Sequence, residues 1–292
     1  MNGIYTGRRI AIFSDIHALF EPVEAIIDDI NKLGIDEIYS LGDNIGLGPS
    51  PCDVIDMLEC YNVKSVAGIF EEYCTLGFTS FRMNFDSTIA RNHEWTLSEL
   101  GRNRCDFIRN FPHSFDLNLG GKKVALCYFS NDVRTDYELY NKDTYLKKIN
   151  DDGNVEQFLY TNSSEHKYNV KCNIDNFSRN GTLAKWYMSF LTYPIFEGKT
   201  ISFYDSIIQG CIHKDLYSKI SDTDIYSIGS GSLSFEEKLR SQAYYIILHE
   251  KVNNMGFDIE KRYVSFENEK MVEAIMKSKG TTEKIKKLIL EK

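Results

Sequence analysis

The chain has 292 residues, of which 42% are hydrophobic and 26% are charged, a composition typical of globular proteins and not of disordered or fibrous ones. Its formal net charge of −8 leaves no broad basic field for neutralising phosphates, so general nucleic-acid binding is not expected. No stretch approaches the roughly 18 apolar residues of a membrane span, and the N-terminus lacks the apolar run of a signal peptide. We therefore expect a cytoplasmic protein that does not bind membranes.

The first third of the chain alternates short apolar runs with helical patterns. Residues 8–13 predict a strand, and apolar residues spaced three or four apart over 23–33 predict a helix that ends at Gly34. A strand, a helix and a strand are then predicted over 37–41, 54–58 and 62–67. Strands that alternate with helices indicate a mostly parallel sheet, with functional side chains in the loops that follow the strands.

The middle of the chain is less regular. Helices are predicted over 88–110 and 136–149, and a hairpin over 113–129 turns at Gly120-Gly121. Residues from about 150 to 199 are polar and rich in asparagine, with one candidate helix over 183–191. We interpret this segment as an insertion within a single domain that spans residues 1–292.

The last third returns to strands and closes with two predicted helices. The predicted strands cover 207–209, 216–220, 225–228, 244–249 and 256–266. A strand-rich tail after a parallel α/β start predicts two sheets that pack face to face and are flanked by helices.

Four polar residues follow predicted strands. Asp15 and His17 lie in the loop after the first strand, Asp43 follows the second, and His213 follows a late strand. Each one alone is common in turns or cores. Because loops after parallel strands meet at one edge of a sheet, the four side chains together could hold a divalent metal.

The segments around these residues resemble the motifs of the calcineurin-like metallophosphoesterases. Asp15-Ile16-His17 is similar to the family's first motif, Gly42 to Gly46 to its second, Gly68 to Glu71 to its Gly-Asn-His-Asp/Glu, and Gly210 to His213 to its Gly-His-x-His. Two further runs resemble the small bacterial phosphodiesterase-like branch, Leu47 to Pro51 and Gly229 to Ser232. The resemblance implies a two-sheet αββα sandwich of the metallophosphoesterase type.

The resemblance also implies which half of the family's two-metal site is kept. The ligands of one metal correspond to Asp15, His17, Asp43 and His213, and all four are present. The positions of the other metal's unshared ligands, and of the acid that assists the leaving group, hold different side chains. These substituted positions are Ile69, Tyr128 and Cys211 for the ligands and Phe70 for the acid.

A site with one half missing predicts a binding or regulatory module with impaired catalysis. It would keep at most one divalent metal (Mn, Fe or Zn) and bind a phosphate-containing small molecule or a protein partner. An alternative is an active metal-dependent phosphoesterase of phosphomonoesters, phosphodiesters or dinucleotide polyphosphates, with one metal or with a second metal on Cys211, Glu71 or Tyr128. A third interpretation is a different ligand in an apolar pocket lined by Ile69, Phe70 and Tyr128.

Other polar residues receive no functional role. Thr96 with Glu99 forms a pattern typical of a helix N-terminal capping box. The adjacent Glu71 and Glu72 could be either a solvated pair or ligands. Cys127 and Cys211 are interpreted as small core residues in preference to zinc ligands.

Overall fold

We describe the protein from a computed structural model, which describes residues 5–76, 87–128, 158–162, 166–170, 203–211, 213–220, 222–233 and 241–290. The chain divides into two compact units, residues 1–130 with 201–292 and residues 131–200. The single domain with an insertion at about 150–199 stays a prediction. The predicted helices over 136–149 and 183–191 lie outside the described residues.

The N-terminal part of the first unit alternates strands and helices. In chain order the elements are β1 (Tyr5–Phe13), α1 (Phe20–Leu33), β2 (Glu37–Ser40), α2 (Pro51–Cys60), β3 (Lys64–Ser65), α3 (Ile69–Leu76) and α4 (Ser87–Ile108). The hairpin β4 (Ser114–Leu119) and β5 (Lys122–Cys127) follows. The order agrees with the sequence prediction except for α3, which was not predicted, and β3 has only two residues.

The second unit and the C-terminal part contribute the remaining described elements. In the second unit, β6 (Phe158–Asn162) and β7 (His166–Val170) form an antiparallel pair that was not predicted. The C-terminal elements are β8 (Ser206–Gln209), β9 (Leu216–Ile220), β10 (Thr223–Ser227), β11 (Gln242–Lys251), β12 (Phe257–Ser265), α5 (Asn268–Lys277) and α6 (Glu283–Leu290). A 3₁₀ turn, Val252–Asn254, joins β11 to β12.

Two five-stranded mixed sheets form the core of the first unit. The strand orders are β12-β11-β1-β2-β3 and β4-β5-β8-β10-β9. Strands β1, β2 and β3 run parallel to one another, as do β5, β8 and β10 in the other sheet. The predicted sandwich of two sheets flanked by helices is confirmed, and the loops after these six strands carry the candidate site residues.

Helix α1 shows why the local predictions succeed. Its buried face consists of apolar residues at helical spacing, namely Val23, Ile26, Ile27 and Ile30 with Pro22. Each such side chain contributes about 1.5 to 3 kcal/mol when it leaves water. Gly34 ends the helix with φ of 64°, and its N–H donates to the carbonyls of Ile30 and Asn31, as its sequence position predicts.

One local prediction is wrong. Thr96 is not an N-cap, because α4 begins at Ser87 and places Thr96 in the helix interior, where its hydroxyl is buried without a hydrogen bond. The capping pattern arises by chance inside a longer helix. Gly101, with φ of 66°, interrupts the helix farther along.

Within the described ranges, none of the helices combines the length and the apolar character needed to cross a lipid bilayer.

Asn92 of α4 holds the loop that follows β2. Its buried side-chain oxygen accepts the N–H of Leu47 at 2.7 Å, and its amide group donates to the carbonyls of Leu47 and Gly280 at 3.2 and 3.1 Å. Leu47 has φ of +66°, so the turn depends on such partners. Asn92 therefore fixes both this loop and the connection between α5 and α6.

We expect Asn92→Ala to lower the free energy of unfolding by about 2 to 3 kcal/mol, because the N–H of Leu47 would be left buried without an acceptor. The matched control is Asn110→Ala, which removes an exposed amide bonded to the Asp106 carbonyl at 2.9 Å and should change stability by less than about 0.5 kcal/mol. Urea denaturation measures both. Equal effects of the two variants would contradict the role of Asn92.

Candidate metal centre

The loops after β1 and β2 are joined by backbone hydrogen bonds that continue the pairing of the two strands. The N–H of Asp15 donates to the carbonyl of Gly42 at 2.9 Å, and that of His17 donates to the carbonyl of Asp43 at 2.8 Å. Ala18 donates to Asn44 in the same way at 2.7 Å. The pairing brings three of the predicted site residues, Asp15, His17 and Asp43, to one edge of the first sheet.

Five residues of the site have a left-handed backbone although none is glycine. Their φ angles are 57° at Asp15, 53° at His17, 51° at Asp43, 70° at Cys211 and 56° at His213. Such conformations cost about 1 to 3 kcal/mol each and persist only where surrounding contacts hold them. Strained residues of this kind are concentrated at functional sites in proteins.

Asp15, His17 and His213 converge on one point. One donor atom from each lies within 4.8 Å of the other two, and all three side chains are buried. The Nε2 atoms of His17 and His213 are 3.0 Å apart, and Nε2 of His213 is 3.2 Å from Oδ1 of Asp15. The structure thus brings together three of the four residues for which a metal was predicted.

The donor atoms of this cluster fit a divalent cation. Two atoms that bind one ion at about 2.1 Å and at right angles lie about 3 Å apart, which agrees with the distance between the two imidazole nitrogens. Oδ1 of Asp15 is buried and accepts no hydrogen bond, whereas Oδ2 accepts the N–H of Cys211 at 2.9 Å. Imidazole and carboxylate ligands suit Zn, Fe and Mn.

Asp43 is close to this cluster but its carboxylate has other partners. Oδ1 accepts the N–H of Phe70 at 3.1 Å, and Oδ2 accepts the hydroxyl of Tyr128 at 2.6 Å. Burial, followed by the charges of Glu71 and Asp15, raises the pKa of Asp43 well above its usual range. Burial also raises the pKa of Tyr128, so its phenol keeps the proton that it donates to Asp43.

The four substituted positions are all buried. Ile69 and Phe70 begin α3, Tyr128 follows β5, and Cys211 follows β8. The ring of Phe70 packs edge-on against His17 with ring centroids 5.5 Å apart. A Cβ atom on Gly46 would lie 2.2 Å from the Phe70 ring. Protein side chains therefore pack closely where the sequence interpretation allowed an open apolar pocket.

Glu71 is a site residue for which the sequence leaves two interpretations open, a solvated residue or a metal ligand. Its carboxylate is fully buried and accepts backbone N–H groups from Asp43 and Gly68 at 2.9 Å and from Asn44 at 2.7 Å. Burial raises the pKa of Glu71 and these hydrogen bonds oppose the shift. The interpretation as a solvated residue is wrong. Its position as the last residue of the third motif was the available signal.

The sequence of the run Gly229 to Ser232 shows only a family resemblance. In the structure it follows β10 and contacts the first motif. The hydroxyls of Ser230 and Ser232 donate to the carbonyl of Asp15 at 2.7 and 3.0 Å. These serines are therefore part of the surroundings of the candidate metal centre.

Comparisons with known proteins point to a fold and not to a substrate. No family model matches the chain. Over 119 residues the chain is 33% identical to an uncharacterized protein of Methanocaldococcus jannaschii. The match covers 41% of this chain and 48% of that protein, so the chain matches about half the length of this curated relative.

Two solved structures resemble the chain over nearly its whole length. A hypothetical protein from Pyrococcus horikoshii OT3 has a TM-score of 0.63 and 14% identity, over 96% of this chain and 97% of the other. A metallophosphoesterase from Sphaerobacter thermophilus has a TM-score of 0.56 and 16% identity, over 99% of each chain. At these identities, the likeness shows a shared fold.

Glu71→Gln should destabilise the protein by about 2 kcal/mol at pH 8. In either orientation the new amide group would face backbone N–H donors, and this loss outweighs the relief from removing a buried charge. Urea denaturation in the presence of a chelator measures the change without any contribution from bound metal. A neutral or stabilising effect would contradict the anchoring role of Glu71.

In contrast to Glu71→Gln, Glu72→Gln should stabilise the protein at pH 8. Burial, followed by the charge of Glu71, raises the pKa of Glu72 to about 7, so the folded state binds a proton that the unfolded state releases above about 4.5. The ionised Glu72 side chain therefore lowers the free energy of unfolding, and this effect grows as the pH rises from about 4.5 through about 7. The free energy of unfolding of the variant should exceed that of the unmodified protein by about 2 to 3 kcal/mol at pH 8 and by little at pH 5. An equal effect at both pH values would contradict this account.

Proposed function

Since the chain has the calcineurin-like metallophosphoesterase fold, we propose that it binds one divalent metal ion and acts as a binding or regulatory module with impaired hydrolytic activity. The metal would be held by Asp15, His17 and His213, with Asp43 beside them. The ligand bound at this site would be a phosphate-containing small molecule or a protein partner. The observation that carries the proposal is a buried donor cluster that lies next to a filled half-site.

The substituted positions offer few ligands for a second ion. Ile69 has no donor atom, and the hydroxyl proton of Tyr128 is already bonded to Asp43. The carboxylate oxygens of Glu71 accept backbone N–H groups and are not directed at a cation. Among the described residues, a metal-binding group forms around Asp15, His17 and His213 alone.

Two contributions to catalysis would be absent from this site. When bound, a divalent metal would supply Lewis acidity, polarising a phosphoryl oxygen. Two-metal sites add a clamp on both the attacking and the leaving oxygen, which this half-site does not supply. Phe70 stands where the family's acid would be, and a phenyl ring has no proton to give to a leaving group. Loss of both contributions supports a rate that is lower by orders of magnitude.

Three buried carboxyl groups, those of Asp15, Asp43 and Glu71, lie in one region. Burial, followed by the charges of Glu71 and Asp15, raises the pKa of Asp43, so its negative charge is disfavoured when no cation is near. A cation next to Asp15 relieves this cost. A free anion would be repelled, so a phosphate group would reach this site only together with the metal.

We expect elemental analysis to find one metal ion per chain after expression in medium supplemented with manganese, iron and zinc. His213→Ala removes a ligand and should abolish binding. The matched control is His249→Ala, because His249 lies on β11 and its Nε2 is 2.7 Å from Oε2 of Glu260, away from the cluster. The control should keep one ion. Two ions per chain, or none, would contradict the proposal.

Turnover separates the proposed module from an active hydrolase. With added Mn²⁺, hydrolysis of a phosphodiester reporter by the unmodified protein should not exceed that of His213→Ala. The same comparison applies to a phosphomonoester and to a dinucleotide polyphosphate. Turnover that exceeds this background and disappears in Asp43→Ala would instead favour an active one-metal phosphoesterase.

A further inference from the structure

We infer that Ser230 and Ser232 are positioning residues for the metal centre, which hold Asp15 so that its free carboxylate oxygen faces the two histidines. This inference rests on the proposed metal binding. We call Ser230 and Ser232 the serine clamp. It acts through Asp15 and does not itself contact the predicted position of the ion.

The serine clamp donates hydrogen bonds to two consecutive carbonyl groups of the first motif. The hydroxyl of Ser230 donates to the carbonyl oxygen of Asp15 at 2.7 Å. The hydroxyl of Ser232 shares its proton between the carbonyl oxygens of Asp15 at 3.0 Å and Ile16 at 2.8 Å. Both serines are buried, so water does not compete for these bonds.

The turn that carries the clamp is itself held in shape. The hydroxyl oxygen of Ser230 accepts the N–H of Leu233 at 2.8 Å, and the N–H of Gly231 donates to the carbonyl of Ser14 at 2.7 Å. A Cβ atom at Gly231 would lie 2.6 Å from the side-chain Cδ1 of Ile16 and 3.1 Å from the backbone oxygen of Ser14. Glycine at this position therefore leaves room for the close approach of the turn to the residues around Asp15.

Asp15 needs support because its backbone is strained and one of its carboxylate oxygens accepts no hydrogen bond. Its φ is 57°, its N–H is bonded to Gly42, and Oδ2 accepts the N–H of Cys211. The clamp completes this set by fixing the carbonyl oxygen. With the backbone and Oδ2 held, Oδ1 has one direction left, and it lies 3.2 Å from Nε2 of His213.

The clamp also links the two sheets at the metal centre. Asp15 follows β1 of one sheet, whereas Ser230, Ser232 and His213 all belong to loops of the other sheet. The bonds between the serines and Asp15 therefore set the separation between ligands that come from different sheets. Partners of this outer kind that orient metal ligands typically change metal affinity 10- to 100-fold when removed.

The test is a Co²⁺ titration of the full chain, with affinity measured by competition with a chelator and geometry by the visible absorption bands of bound Co²⁺. The double variant Ser230→Ala/Ser232→Ala should bind Co²⁺ about 10- to 100-fold more weakly and show shifted bands. The matched control is Ser227→Ala. It removes another buried hydroxyl, which accepts a hydrogen bond from Gln209 at 2.7 Å and does not contact Asp15.

The outcomes separate this inference from the proposed function. Failure of the unmodified protein to bind Co²⁺ would overturn the proposed metal site. Tight binding by the unmodified protein and equally tight binding, with unchanged bands, by the double variant would overturn the serine clamp alone. If the double variant does not fold, the single variant Ser230→Ala replaces it, because it keeps the hydrogen bonds of Ser232. Ser230→Ala should bind Co²⁺ more weakly than Ser227→Ala does. Equal Co²⁺ affinities of these two variants would reject the serine clamp.

Discussion

The candidate site depends first on the backbone hydrogen bonds that join the loop after β1 to the loop after β2. These bonds continue the parallel pairing beyond the ends of the strands, so the two loops are held side by side. As a result, Asp15 and His17 from one loop lie beside Asp43 from the other. The strained left-handed residues in both loops are tolerated because the pairing, Asn92 and Glu71 hold the backbone around them.

The buried carboxylates held between these loops differ in the hydrogen-bond donors that they contact. Glu71 takes backbone N–H groups from the second and third motifs, and Asp43 takes the phenol of Tyr128 and the N–H of Phe70. Asp15 differs, since one of its oxygens has no hydrogen-bond donor. Of these three carboxylates, Asp15 therefore has the oxygen best suited to bind a cation.

The second sheet completes the centre. Tyr128, His213 and the serine clamp follow β5, β8 and β10, three parallel strands whose ends face the loops of the first sheet. Tyr128 donates a hydrogen bond to Asp43, His213 lies beside Asp15, and the serines donate hydrogen bonds to the Asp15 carbonyl. The site therefore belongs to neither sheet alone, and the packing of the two sheets sets the distances within it.

Sequence by itself determined the elements whose signals are local, such as the apolar face of α1, its end at Gly34, the hairpin turn at Gly120-Gly121 and the order of polar residues after strands. It also indicated Asp15, His17, Asp43 and His213 as candidates, because parallel strands place their following loops at one edge. Only the tertiary structure decided that Glu71 is buried and that Tyr128 donates to Asp43. Those outcomes depend on burial and on contacts between residues far apart in the chain, and no local pattern encodes them.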